Sequence, residues 1–255
     1  MVELLGMKKA FSLEFKRQKL AKERKYSDLK NLYSSHLPEI KDLNKPIFWN
    51  EIFSNETLNE MDYGMVRDRV STAVSYIPDK KRVSMLDIGA GMGYVEDLIS
   101  KKNNIDVYAN DFSDVSIQNL KKKHKGNFKK MSIYSLKYSV NFFDVVLILE
   151  VLEHIPPSKI FNVLHSINKI IKRNGFLIVS VPMNEGLERM KDNPNGHVRM
   201  YTKELIFAEL EMAGFKIKKY KLLYAFNSYY NLKSLIARYF KTHNPNVIVI
   251  KAQKI

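Results

Sequence analysis

Two stretches of this chain, "FDVVLIL" at 143–149 and "FLIVSV" at 176–181, are apolar almost throughout, with no alternation. Successive side chains of a strand point to opposite faces, so a half-exposed strand alternates apolar and polar residues. A continuous apolar run of strand length belongs instead inside a sheet covered on both faces, which means a mostly parallel sheet between layers of helices. From Arg82 onward such runs alternate with helical patterns. The pattern predicts strands at 83–88, 106–111, 128–132, 143–149, 175–181, 215–224 and 247–254. Between them it predicts helices at 94–102, 113–124, 157–172 and 202–213, the last with Thr202 as N-cap. The fold class expected is α/β: a doubly wound, mostly parallel seven-stranded sheet with an N-terminal helical extension.

That extension reads as helix over residues 1 to about 35, rich in Lys, Arg, Glu and Leu. Pro38 and Pro46 then punctuate an irregular link through "LNKPIFWNEIF", and a further helix covers 61–77, ending before Pro78. The expected division is a basic extension and linker at 1–60 and one larger domain at 61–255 with an insert near 225–245.

No cysteine occurs, which removes disulfides, thiolate metal sites and a cysteine nucleophile together and suits a cytoplasmic location. No apolar run is long enough for a membrane-spanning helix, and the N-terminus has the wrong order of charge and apolar residues for a signal peptide. The net charge is +15 and unevenly placed: no acid occurs from Val115 to Phe143 or after Glu211. An anionic partner (nucleic acid, acidic lipid or a phosphorylated substrate) and plain solvated lysine faces both fit this asymmetry.

"VSMLDIGAGMGYVEDLIS" at 83–100 joins the first strand to a helix through Gly89, Gly91 and Gly93. Bare backbone lets a ligand approach closely, and the helix behind offers free N–H groups and its positive end. A dinucleotide fingerprint would need glycine at 94, where Tyr94 stands, and a phosphate-binding loop would need a Gly-Lys-Ser/Thr ending. The motif present is D-x-G-x-G-x-G from Asp87. An acid at the strand tip repels a pyrophosphate but holds an ammonium, which favours a ligand such as S-adenosylmethionine.

With these motifs in order, the stretch from Arg69 to Tyr224 resembles the class I S-adenosylmethionine-dependent methyltransferases, in particular the small-molecule branch with the quinone-biosynthesis O-methyltransferases. The resemblance implies the Rossmann-like methyltransferase fold and a cofactor site of Arg69, Asp87, Gly89, Ala90, Gly91, Gly93, Asp111, Phe112, Ser132, Ile133 and Leu149. Asp111, twenty residues beyond Gly91, would take both ribose hydroxyls, or else cap the helix starting near Ser113; Phe112 would pack on adenine. Ser132 stands where relatives have an acid for the adenine amino group, and its hydroxyl or the Ile133 backbone would take that contact. Arg69 would reach the methionine carboxylate. In "LEVLEH" the pattern Glu150, Glu153, His154 resembles a magnesium site that would orient an acceptor; His154 as general base is the competing assignment. His197, Arg199 and Tyr201 in "NPNGHVRMYT" are candidate substrate-side residues, giving His154, Glu150 and His197 as the catalytic candidates.

The activity implied is methyl transfer to oxygen or nitrogen of a small molecule, anionic or lipid-linked acceptors included. The alternative is RNA methylation at ribose or a wobble base; the Asn/Asp-Pro-Pro motif of N6-adenine enzymes is missing at 149–152, and a cytosine-C5 enzyme would need a cysteine. A non-catalytic subunit of the same fold is a third reading. "FNSYYNLKSLIARYFKTHNP" has helical spacing of aromatic and basic residues, suited to peripheral membrane contact, to covering the substrate entrance, or to a homodimer.

Overall fold

The "FDVVLIL" run forms a strand buried at every position but its last, one of seven in a single sheet. The computed structural model describes residues 2–34, 44–55, 60–185 and 196–255. Its strands are β1 (Val83–Ile88), β2 (Ile105–Asp111), β3 (Asn127–Lys130), β4 (Phe143–Leu149), β5 (Ile171–Pro182), β6 (Phe215–Leu223) and β7 (Val247–Lys254). They lie in the order β3-β2-β1-β4-β5-β7-β6. All pairings are parallel except those of β7, which runs antiparallel to β5 and β6. The described helices are α1 (Val2–Lys22), α2 (Tyr26–Ser34), α3 (Pro46–Asn55), α4 (Gly64–Ser75), α5 (Tyr94–Ile99), α6 (Asp114–Lys123), α7 (Ile160–Ile170), α8 (Lys203–Met212) and α9 (Tyr230–Phe240).

Strand parity builds two cores. Leu86, Ile88, Val146, Ile148, Leu177 and Val179 point to one face, where α7 and α8 cover them and Ala21, Leu29 and Tyr33 of the N-terminal helices join the same cluster. Met85, Val145, Leu147 and Ile178 point to the other, under Val70, Ala73 and Val74 of α4 and Val95 and Ile99 of α5. Each such buried aliphatic side chain contributes roughly 1.5–3 kcal/mol of transfer free energy. Among the described residues no helix is long and apolar enough to cross a membrane.

The strand expectations hold with shifted ends, and Thr202 caps α8 by accepting the Leu205 N–H. Four readings are corrected. The link through Pro46 is a helix, α3: proline fits the first helical position, where its missing N–H costs nothing. Residues 2–34 hold two helices, not one. They are broken where Arg24 turns left-handed at φ 55° and the Lys25 N–H closes back on Leu20 O at 2.9 Å. The helix expected to 172 stops at Ile170, and β5 begins at once. Gly175 lies inside β5 where a Cβ would meet Lys172 O at 2.9 Å and Asp144 O at 3.0 Å, so the glycine marks a close backbone approach rather than a strand start. Pro38 and residues 193–195 lie outside the described residues.

The insert is helix α9, with Ser234 and Ala237 facing the body and Leu232, Leu235, Tyr239 and Phe240 exposed.

Candidate active site

The strand order reverses at β1 and β4, where β2 and β3 lie on one side and β5, β7 and β6 on the other. Ligands of open α/β sheets bind at such a switch, beyond the carboxyl ends of the strands. A cavity of about 720 Å³ opens there, between the turn after β1, the segment after β4, and helices α3 and α4.

The turn after β1 brings acid and bare backbone together. Gly89 takes φ +73°, and a Cβ there would meet Val151 at 2.6 Å. Gly91 donates its N–H to Asp111 Oδ2 at 3.0 Å and accepts the Ser116 hydroxyl at 2.6 Å. The other oxygen of Asp111 accepts the Ser113 N–H at 2.8 Å. Burial pushes the Asp111 carboxyl up despite these bonds. Asp87 is pushed up to about 7 by burial and then by the Asp111 charge. Glu96 lies fully buried behind them, raised by burial and then by Asp87, and neither of its oxygens finds a partner beyond its own residue among the described residues. Three buried acids in one place have a cation as their natural complement.

Gly93 is a correction. It does not line the cavity but sits at φ +83° as the N-cap of α5, where a Cβ would press on Leu120 at 2.8 Å. Its requirement is conformational.

Phe112, Ser132 and Ile133 also line the cavity. The Ser132 hydroxyl accepts the Tyr134 N–H at 3.3 Å, so it caps a turn while facing the ligand space. Asn110, which the sequence reading missed, also lines the cavity. Its amide N–H donates to Met131 O at 3.3 Å, and its buried Oδ1 has no partner among the described residues. That oxygen is ready to accept an N–H or O–H from a ligand.

Beyond β4, Leu149 lies on the wall and Glu150 turns left-handed at φ +54°. The turn aims the Glu150 carboxylate at Arg69 of α4, 3.2 Å away, and at Ser180 of β5, whose hydroxyl donates at 2.7 Å. Glu153 and His154 follow on a single 3-10 turn. The structure therefore does not gather the magnesium trio Glu150, Glu153 and His154. It gathers Glu153, His154 and His197, whose donor atoms all lie within 4.8 Å of one another. Magnesium prefers oxygen donors in octahedral array; one carboxylate and two imidazoles do not fit it.

His154 Nδ1 meets Gly196 O at 3.2 Å, and burial together with His197 holds the imidazole down at about 3. His197 Nδ1 meets Glu185 Oε2 at 2.7 Å. The His154 ring stands edge-on to Trp49, centroids 4.9 Å apart. Trp49 and Phe53 of α3 and the preceding Asn44 all line the cavity. Sequence reading missed this contribution, although "PIFWNEIF" holds the chain's one tryptophan among apolar residues at helical spacing. α3 is anchored through Asn50, whose Oδ1 accepts the Ser113 hydroxyl at 2.7 Å and the Asp114 N–H at 3.1 Å.

Arg199 and Tyr201 are the second correction. Neither faces the cavity. Arg199, 0% exposed, pairs with Glu209 of α8 and donates to Tyr33 OH at 3.0 Å and Tyr201 OH at 3.1 Å. The set ties α2 to α8 and the segment that precedes it.

A family described as "Methyltransferase domain" is matched over residues 60–220. An uncharacterized protein of Methanocaldococcus jannaschii, MJ0638, is 31% identical over 186 residues, spanning 72% of this chain and 73% of its own length. The crystal structure of a SAM-dependent methyltransferase from Archaeoglobus fulgidus superposes with TM-score 0.60 at 18% identity, over 76% of this chain and 97% of that one. Magnesium protoporphyrin IX methyltransferase of Synechocystis, solved with bound S-adenosylhomocysteine, gives 0.58 at 16% identity, over 82% and 93%. These two likenesses are of fold. Together with the D-x-G-x-G-x-G turn and the cavity above it, the family match identifies the chain as a member of the methyltransferase-domain family, an S-adenosylmethionine-dependent methyltransferase.

Proposed function

We propose that the chain methylates an oxygen or nitrogen of a small molecule, held between the acidic turn after β1 and the Glu153, His154 and His197 cluster. One observation carries this reading: both groups of residues line the same cavity, whose volume lies within the range of roughly 300–1,000 Å³ usual for small-molecule sites. α3 roofs it with Trp49 and Phe53.

S-adenosylmethionine, when bound, supplies an electrophilic methyl group on a sulfonium whose sulfur leaves neutral. The protein's task is then alignment and removal of the acceptor's proton. Asp87 holds the ammonium, the Asp111 oxygens keep lone pairs for the ribose hydroxyls, and Asn110, Phe112, Ser132 and Ile133 frame the base. Gly89, Ala90, Gly91 and Leu149 supply close backbone and apolar wall. Arg69 serves the methionine carboxylate, with Glu150 holding it in place. His154, neutral at any working pH, and His197, oriented by Glu185, face the acceptor with Glu153. A group held near 3 is a weak base at pH 7, so His154 positions and polarises rather than abstracting a proton by itself.

The deciding experiment incubates the protein with methyl-labelled cofactor and a cell extract separated into small-molecule and RNA fractions. Label in the small-molecule fraction supports the reading; label confined to RNA, or none in any fraction despite bound cofactor, sinks it. RNA methylation is favoured by one observation, the exposed Lys121, Lys122, Lys123, Lys125, Lys129 and Lys130 along α6 and β3. It predicts RNA affinity falling steeply with salt.

A further inference from the structure

We propose that Glu153, His154 and His197 form a site for one divalent transition metal of the zinc class, in place of magnesium at Glu150, Glu153 and His154. The inference rests on the methyl-transfer reading only for what the ion would do there, not for its binding.

The donor set is specific. A backbone carbonyl only accepts, so the 3.2 Å contact from His154 Nδ1 to Gly196 O puts the proton on Nδ1. The 2.7 Å contact from His197 Nδ1 to Glu185 Oε2 does the same for the second ring. Both histidines therefore present an Nε2 lone pair, and each has the Nδ1 partner that orients metal-binding imidazoles. His154 Nε2 lies 3.9 Å from Glu153 Oε1, and each of the three residues brings a ligand atom within 4.8 Å of those of the other two.

Glu153 supplies a second, independent observation. It is 0% exposed, and neither carboxylate oxygen has a hydrogen-bond partner beyond its own residue among the described residues. A buried carboxylate is costly unless a cation or donors compensate it. Glu150 does not compete for the same ion, because Arg69 and Ser180 already engage its two oxygens.

The surroundings hold the donors still. The Val198 N–H donates to Glu153 O at 2.9 Å, clamping the segment that carries His197 against the turn that carries the other two. Asn44 donates to Gly196 O at 2.8 Å, and Trp49 Nε1 donates to Asn44 Oδ1 at 3.3 Å. Two imidazoles and one carboxylate suit zinc, iron(II) or cobalt(II). The three residues line the cavity, so the ion's remaining positions open toward the acceptor. There a Lewis acid would lower the acceptor's pKa, the task for which neutral His154 is ill suited alone.

The test uses tag-free full-length protein stripped with a chelator and titrated with cobalt(II) alone, read by its visible d–d absorption. One cobalt per chain is expected, displaced by equimolar zinc and untouched by millimolar magnesium. His154→Ala, His197→Ala and Glu153→Gln should abolish the band. Glu185→Gln, a milder change that keeps the test open if a ligand variant fails to fold, should weaken binding by roughly 10–100-fold. Glu150→Gln should keep the cobalt band. Cofactor binding is followed in parallel by calorimetry. Cofactor binding without a cobalt band overturns the metal site and leaves the methyl-transfer reading standing. A cobalt band without cofactor binding does the reverse. Displacement by magnesium, or loss of the band in Glu150→Gln, also overturns the proposed ligand set.

Discussion

Gly91, on the turn after β1, donates its N–H to the Asp111 carboxylate at the tip of β2, 3.0 Å away. One side chain thus fixes the shape of the glycine turn and faces the space where a ribose would lie. Asp111→Ala should weaken S-adenosylmethionine binding by roughly two orders of magnitude, the loss of about 2–3 kcal/mol of charge-assisted hydrogen bonds. Calorimetric titration of both proteins checks this, and equal affinities would remove Asp111 from the cofactor site.

Cofactor affinity should depend on pH through Asp87. Its carboxyl stands near 7 in the free protein, whereas a bound ammonium favours the ionised form. Below about pH 7 binding must release that proton, so affinity rises by up to about tenfold per pH unit and levels off above. Titrations in buffers of different ionisation enthalpy should report proton release at pH 6, and Asp87→Asn should abolish it.

The same shift makes a stability statement of opposite slope. The folded-state value lies above the unfolded value near 3.8, so the folded state binds the proton more tightly. Stability of the free protein therefore falls as pH rises from about 4 to about 7. Denaturant unfolding across that range checks it, with Asp87→Asn giving a flatter profile.

Gly89→Ala should destabilise the fold in two separable ways, read by denaturant unfolding. A Cβ meets Val151 at 2.6 Å, and φ +73° strains any residue but glycine. The combination costs about 2–4 kcal/mol of stability. Adding Val151→Ala relieves the contact and leaves the strain, so a double-mutant cycle should recover about half of the loss.

Glu209→Ala strips the 0% exposed Arg199 of its buried partner and should cost about 3–5 kcal/mol. Because this network lies away from the cavity, the folded fraction should keep its cofactor affinity. Thermal unfolding and calorimetry on the same sample test both halves.

What the sequence disclosed and what it concealed differ in range. "FDVVLIL" could be placed because burial on two faces writes itself into consecutive residues, and the Asp87 turn because its chemistry sits within seven positions. Arg199 reads as a loop residue near the crevice because Glu209 and Tyr33, its partners, come from other elements, Tyr33 from 166 residues away. Glu150 stands apart from Glu153 and His154 because Arg69 and Ser180, from other elements, engage its two oxygens, and local spacing does not show such partners. α3 hides in the sequence because its proline, a breaker inside a helix, is tolerated at its first position.

The buried pairing of Tyr33 with Arg199 and Glu209 has a kinetic side. The helix bearing Tyr33 leaves the ribosome long before α8 does, so it has no satisfied place to dock until most of the chain has been made. Contacts of such sequence separation form slowly. The first helices therefore cannot complete this buried pairing before α8 has been made.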